Sequence, residues 1–201
     1  MRLLFAGLLI SLTLAACSAK AASEPVTLTA DAAQAGQLLD RAGWVSPGLK
    51  GRAVYLVSFR DCPGCQFVER SLFPRLQAQG IDTRVIVFAR PDIAVIKQST
   101  PAERATVAQL WLARDWGLLQ RWLAADSAAW TAPGVPRADK DPARLKALAE
   151  SRRTAETLMK LATRAGLSPG TPLLMWRDKG GRLRACHCTS PQAFAVLRGE
   201  L

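Results

Sequence analysis

The chain has 201 residues, 49% of them apolar and 21% charged, which suits one globular domain and leaves little room for a second. Its formal net charge of +11 raises the question of nucleic-acid binding, but the basic residues are scattered and do not cluster with aromatic side chains. No apolar run after the N-terminus is long enough for a second membrane span. The composition therefore argues against a polytopic membrane protein, and we expect no nucleic-acid partner.

The first residues predict an export signal that is not part of the fold. Arg2 precedes an apolar stretch, residues 3–14, which is too brief to cross a bilayer comfortably. The stretch ends in Leu-Ala-Ala-Cys, which is similar to a bacterial lipobox. Residues 1–16 are therefore expected to be a lipoprotein signal peptide, with Cys17 as the lipidated N-terminus. A plain secretory signal with a chance cysteine is the alternative.

The residues after the signal predict where the protein resides. Ser18 is not acidic, and in lipoproteins such a residue after the cysteine favours the outer membrane, here its inner leaflet facing the periplasm. Small and polar residues predict a lipidated tether over 17–25. The remaining residues, 26–201, are expected to form the folded domain.

The first half of this domain predicts a βαβ unit. An amphipathic pattern indicates a helix over residues 30–42, and the apolar run 53–59 is typical of a central strand covered on both faces. A helix over 62–79 follows, and Pro74 should kink it. A second buried strand at 83–89 completes the unit, which implies parallel pairing of the two strands.

The second half predicts helices followed by a hairpin. Residues 101–165 are mostly helical in pattern, and the strands 172–176 and 182–186 flank an Asp-Lys-Gly-Gly turn. A last helix is expected over 191–197. The order βαβ, helices, ββα is the α/β arrangement of thioredoxin with an all-helical insertion between the two halves, at about 101–165.

A Cys-x-x-Cys motif stands between the first strand and its helix. Cys62 is placed at the helix N-terminus, where free backbone N–H groups and the helix dipole favour its thiolate. Pro63 suits the first helical turn, and Gly64 leaves room for a partner backbone. Cys62 is therefore predicted to be an exposed nucleophile and Cys65 the buried resolving cysteine. A structural disulfide and half of a zinc site are the alternatives.

At these residues the chain resembles the catalytic domain of the periplasmic disulfide isomerases and reductases of the DsbC/DsbG group. The resemblance covers about residues 52–201. It implies that the Thr171–Pro172 peptide bond is cis, faces the active-site cysteines and aligns an extended substrate. An ordinary trans proline opening a strand is the alternative. The matching segments are Ser58-Phe59-Arg60-Asp61-Cys62-Pro63-Gly64-Cys65, the strand at 85–88, Leu110-Trp111-Leu112-Ala113-Arg114-Asp115, and Gly170-Thr171-Pro172.

The chain departs from this group in three ways. The segment 18–52 is too short for the N-terminal dimerisation domain of the isomerases, so we expect a monomer. The dipeptide between the motif cysteines is Pro-Gly, where the group often has an aromatic residue or histidine, which leaves the direction of electron flow open. The accessory disulfide of the helical region has no counterpart, because no cysteine lies between Cys65 and Cys186.

A second cysteine pair, Cys186-His187-Cys188, ends the predicted hairpin. The first strand of the hairpin starts at Pro172, beside the active site, so an antiparallel second strand must end at the same surface as Cys62. The pair is interpreted as a second redox couple. A site for a soft metal that includes His187, and an inert structural pair, are the alternatives.

Together these features predict a periplasmic thiol–disulfide oxidoreductase, a reductase or isomerase acting on protein cysteines. Cys62 attacks, Cys65 resolves, and Thr171 and Pro172 bind the client, while a membrane protein exchanges electrons with the pair. No cofactor or bound metal is expected. The alternatives are a disulfide oxidase and a carrier of copper or zinc that uses both cysteine pairs and His187.

Overall fold

A computed structural model describes residues 24–201, so the predicted signal peptide, the lipidation site Cys17 and most of the tether lie outside the described residues. The elements in chain order are β1 (Val26–Thr27), α1 (Ala32–Arg41), β2 (Ala53–Ser58), α2 (Pro63–Ser71), α3 (Phe73–Gln77), β3 (Asp82–Val87), α4 (Pro101–Ala113), α5 (Trp116–Ala124), α6 (Pro142–Arg164), β4 (Leu173–Arg177), β5 (Leu183–Cys186) and α7 (Pro191–Glu200). None of the helices in this part of the chain is long and apolar enough to cross a membrane.

The strands form one mixed sheet in the order β1-β5-β4-β2-β3. β2 and β3 are parallel, and the other neighbouring strands are antiparallel. Leu56 in the middle of β2 pairs with Val85 on one side and Leu174 on the other. The predicted βαβ unit and C-terminal hairpin are therefore confirmed, and the sheet has the α/β thioredoxin-like arrangement.

Helices cover both faces of the sheet, which explains why β2 is apolar nearly throughout. Val54 and Leu56 point into one buried cluster, while Tyr55 and Val57 point into the other. The first cluster also contains side chains of α2, α3, α5 and α7, and the second contains those of α1 and of most of α6. Because successive strand residues point to opposite faces, a doubly covered strand needs apolar residues at every position.

The structure corrects the predicted elements in three places. A single kinked helix over 62–79 was expected, but α2 ends before Leu72 and α3 begins at Phe73, because Pro74 has no N–H to donate to the preceding turn. The last helix extends to Glu200. Residues 26–27, for which no element was predicted, form β1, which pairs with β5 at the sheet edge.

Between β3 and β4 the chain forms three helices, α4, α5 and α6, within the stretch 101–165 that was predicted to be helical. α4 begins with a capping box, in which Thr100 accepts from the Glu103 N–H and the Glu103 carboxylate accepts from the Thr100 N–H. It ends at Arg114, whose left-handed φ of 52° stops the helix. The indole N–H of Trp111 donates to the Val87 carbonyl at 2.7 Å, which fastens α4 to β3.

Candidate functional site

The first cysteine pair lies at the N-terminus of α2, directly after the carboxyl end of β2. Cys62 is the N-cap residue, and its Sγ accepts a hydrogen bond from the Cys65 N–H at 3.1 Å. Pro63 occupies the first turn of the helix, where no N–H is needed. The two cysteines form a disulfide with their Cα atoms 5.2 Å apart. The sequence prediction of a Cys-x-x-Cys motif opening a helix therefore matches the observed backbone.

A loop from the other half of the chain lies against this motif. The Thr171–Pro172 peptide bond is cis, as the resemblance implies, and the Thr171 hydroxyl donates to Cys62 Sγ at 3.4 Å. A Cβ atom added at Gly64 would lie only 2.7 Å from Cδ of Pro172. Gly64 therefore allows the proline ring to approach α2 between the two cysteines, which is the role expected of a residue without a side chain.

Cys62 was predicted to be exposed, but the structure buries it. Only 2% of its surface is accessible, compared with 1% for Cys65. Its sulfur is enclosed by its disulfide partner and by Thr171, a residue 109 positions away in sequence. The prediction was wrong because helix position alone does not reveal a covering loop from a distant part of the chain.

The second cysteine pair lies at the same end of the sheet, as the hairpin argument predicted. Cys186 is the last residue of β5 and pairs with Leu174, and a disulfide joins it to Cys188. Both cysteines are fully buried, in the same apolar cluster that contains Cys62 and Cys65. The fold thus buries both pairs at the same end of the sheet.

His187 connects the second pair to the cis-proline loop. Its Nδ1 lies 2.6 Å from the Pro172 carbonyl oxygen and its Nε2 lies 2.6 Å from the Ser168 carbonyl oxygen. Neither ring nitrogen is therefore presented to a metal ion in this arrangement. Within residues 24–201, no group of three or more histidine, cysteine, aspartate or glutamate side chains is placed to hold one.

Two charged residues near the motif were missed by the sequence analysis. Arg60 is buried, donates to the Ala125 carbonyl, and stacks over the Trp122 ring with its guanidinium 5.7 Å from the ring centre. Burial raises the pKa of Glu69 to about 7, against the attraction of Arg60 and Arg70. In the sequence, Arg60 directly follows the apolar strand, and Glu69 lies one helical turn after Cys65.

The carboxyl end of β3 adds an open cleft and an exposed apolar tip beside the motif. The cleft, of about 450 Å³, is lined by Asp61 and, among others, Arg90, Lys97 and Arg104. The turn after β3 exposes three apolar side chains, to 58%, 91% and 62% respectively, and we call them the apolar tip: Ile93, Val95 and Ile96. Because β2 and β3 are parallel, the tip and Cys62 lie at the same end of the sheet.

Comparison with solved structures finds a similar fold in ScsC of Proteus mirabilis. The catalytic domain of ScsC from Proteus mirabilis matches with a TM-score of 0.54 at 16% identity, over 83% of this chain and 97% of that one. Proteus mirabilis ScsC in a transitional conformation matches with a TM-score of 0.53 at 15% identity, over 86% and 76%. A periplasmic thioredoxin-like protein from Salmonella enterica serovar Typhimurium gives 0.44 at 15% identity, over 81% and 92%. No family model and no curated protein sequence matches the chain.

These similarities concern the fold, because the identities are low. The solved structures that match with TM-scores above 0.5 are of ScsC, so the resemblance to the DsbC/DsbG group inferred from sequence is approximate. The chain thus has a thioredoxin-like fold, similar to that of the catalytic domain of ScsC.

Proposed function

We propose that this protein is a periplasmic thiol–disulfide oxidoreductase that reduces or isomerises disulfides of protein clients through Cys62 and Cys65. The observation that carries the proposal is the contact between the two halves of the site. Cys62 caps α2 and receives a hydrogen bond from Thr171, next to the cis bond of Pro172. A thiolate at a helix N-terminus is stabilised by the backbone N–H groups, which suits it to attack and to leave.

The reaction is a dithiol–disulfide exchange. In the reducing direction, the Cys62 thiolate attacks a client disulfide, forms a mixed disulfide and releases one client thiolate. Cys65 then attacks Cys62, which restores the disulfide seen between them and releases the second client thiol. Cys62 is 2% exposed in the disulfide state, so the Thr171 loop must move for a client to reach its sulfur. A client strand lying along Pro172 would take the place of that cover.

Two surfaces support a protein client and not a small thiol. The cleft beside Asp61 is lined by basic residues as well as polar ones, and the apolar tip stands at the same end of the sheet. Exposed apolar side chains grouped in one turn are typical of contact with another macromolecule. The apolar tip would contact apolar segments of an unfolded chain, and the polar cleft would bind its backbone groups.

We also propose a lipid anchor at Cys17, which lies outside the described residues. Val26 pairs with Ala185, so the tether leaves the fold beside Cys186, at the end of the sheet that carries both cysteine pairs. An extended chain from Cys17 to Val26 spans about 30 Å. This reach supports exchange with a membrane protein that supplies or removes electrons. Conversion of Cys17 to serine should release the protein into the soluble periplasmic fraction.

The test is a redox titration of the full chain, with thiol trapping and mass mapping of each cysteine. A reversible Cys62–Cys65 couple between about −120 and −270 mV supports an oxidoreductase, and its position in that span separates an oxidase from a reductase. The matched variants are Cys62→Ser and Cys65→Ser. If both thiols stay protected from trapping until a chelator is added, the redox function fails and a metal carrier replaces it.

A further inference from the structure

We propose that Cys186–Cys188 is a second redox-active disulfide, which exchanges electrons directly with Cys62–Cys65 inside the protein. This inference rests on the proposed oxidoreductase function of the first pair. It extends the active site from one cysteine pair to two, so that one molecule stores twice as many electrons.

Gly64, which lies between the cysteines of the first pair, is close to the segment that carries the second pair. A Cβ atom built at Gly64 would lie 2.7 Å from Pro172 and 3.4 Å from the Cγ2 of Thr189, the residue after Cys188. The helical turn between the active-site cysteines thus contacts the segment that holds the second pair. The β4–β5 register agrees with this placement, because Cys186 lies opposite Leu174, two residues after Pro172.

The second pair is closed to solvent. Cys186 and Cys188 both have 0% of their surface exposed, and they share one apolar cluster with Cys62 and Cys65. A soluble thiol must meet the sulfur it attacks, so it reaches this pair only after the fold opens locally. The first pair is already inside the cluster. Once the Thr171 loop moves and Cys62 and Cys65 are reduced, exchange through them reaches the second pair without opening the fold around it.

The Cys186–Cys188 disulfide contributes little to the stability of the fold. It joins residues two positions apart, at the end of a strand that β4 and β1 already fix on both sides. A loop this short constrains the unfolded chain very little. The Cα atoms of Cys186 and Cys188 are 5.2 Å apart, whereas two residues of extended strand span about 6.5 Å. The backbone is thus contracted relative to an extended strand at Cys186, where β5 ends.

The exchange balances within the chain. A thiolate of the reduced first pair attacks the Cys186–Cys188 bond, which breaks as a mixed disulfide forms and one thiolate leaves. The other thiol of the first pair then attacks the mixed disulfide and releases the second cysteine. Two electrons and two protons pass to the second pair, and the Cys62–Cys65 disulfide is restored. The reverse sequence returns them to the first pair and so to a client disulfide.

The first experiment compares reduction rates in the full chain. Wild type and the C62A/C65A variant are treated with dithiothreitol, trapped at intervals, and mapped by mass spectrometry. We expect reduction of Cys186–Cys188 to slow by about tenfold or more in the variant, because only local opening then admits the reductant. Equal rates would overturn the proposal. So would a Cys186–Cys188 bond that remains intact in wild type when Cys62 and Cys65 are fully reduced.

The second experiment traps the intermediate and does not depend on that variant. Chains with one cysteine of each pair replaced by alanine, in all four combinations, are oxidised mildly and mapped for an intramolecular cross-link. At least one cross-link is expected, and its absence from all four folded variants would overturn the relay. The C186A/C188A variant separates the two proposals, because a Cys62–Cys65 pair that cannot be reduced there contradicts the oxidoreductase function itself.

Discussion

Nδ1 of His187 lies 2.6 Å from the carbonyl oxygen of Pro172, and this contact joins the second cysteine pair to the loop that covers the first. The other ring nitrogen faces the Ser168 carbonyl at the same distance, so the imidazole contacts both ends of the loop 168–172. The Thr171 hydroxyl, within that span, donates to Cys62 Sγ. We therefore expect His187 to act as a positioning residue, through the loop, for the Cys62 sulfur.

Replacement of His187 by alanine should loosen this loop. The carbonyl oxygen that accepts from the imidazole N–H loses its donor and the ring's packing on the loop is lost, so we expect the free energy of unfolding to fall by about 1–2 kcal/mol. Hydrogen exchange of the amides in segment 168–172 should accelerate more than that of β2. His187→Gln keeps a side-chain donor and should recover part of the protection. The surface variant Arg153→Ala, which removes an exposed ion pair with Glu150, serves as the control. Unchanged exchange in the loop would contradict the positioning role.

Gly64→Ala should disturb the site by crowding. The new methyl group would meet Cδ of Pro172 at 2.7 Å and its Cγ at 3.3 Å, and a proline ring cannot rotate away. We expect a loss of about 1–3 kcal/mol in stability and slower reduction of the Cys62–Cys65 disulfide. Gly199→Ala is the matched control, since it is also a helical glycine and nothing lies within 4 Å of its Cβ position. If both variants behave alike, the close approach of the loop is not functionally important.

The sequence predicted those elements whose pattern is local. The apolar run of β2, the helix opening at Cys62 and the Asp-Lys-Gly-Gly hairpin each have a periodicity or turn signal within a short window. Even the nearness of Cys188 to the active site followed from strand direction alone. Topology rules thus extended local patterns to a prediction about distant residues.

The features that sequence reasoning missed depend on contacts between distant segments. β1 has two residues, too few for a pattern, and it exists because Val26 pairs with Ala185. The burial of Cys62 depends on the loop at Thr171, and the partners of His187 are main-chain carbonyls, which have no signature in a sequence. Such contacts become visible only when the fold is known.

The apolar tip should matter for protein clients and not for small reductants. Replacement of Ile93, Val95 and Ile96 by serine removes exposed apolar surface without touching the cysteines. We expect the KM for a disulfide-bonded protein substrate to rise about tenfold, a loss of about 1.4 kcal/mol in binding. The rate of Cys62–Cys65 reduction by dithiothreitol should stay the same. Leu145→Ser, at an exposed position on α6, is the control. An equal effect on both substrates would show that the tip acts on folding and not on client binding.

The Glu69 carboxyl should make stability depend on pH between about 4.5 and 7. Burial raises its pKa from an ordinary 4.5 to about 7, so over this range the folded chain keeps a proton that the unfolded chain has lost. The stability is therefore fully present below pH 4.5 and falls as the pH rises through 7, because the folded state must then bury a charge.

The Glu69→Gln variant tests this directly, since glutamine resembles the protonated acid. At pH 8 it should be more stable than wild type by about 2 kcal/mol, and the difference should shrink towards zero near pH 4. Urea unfolding at several pH values gives both curves, and the difference between them isolates Glu69 from other titrating groups. Glu150→Gln, an exposed carboxylate, should leave the curve unchanged within about 0.5 kcal/mol. A Glu69→Gln curve parallel to that of wild type would mean that folding leaves the pKa of Glu69 unchanged, with Arg60 and Arg70 offsetting its burial.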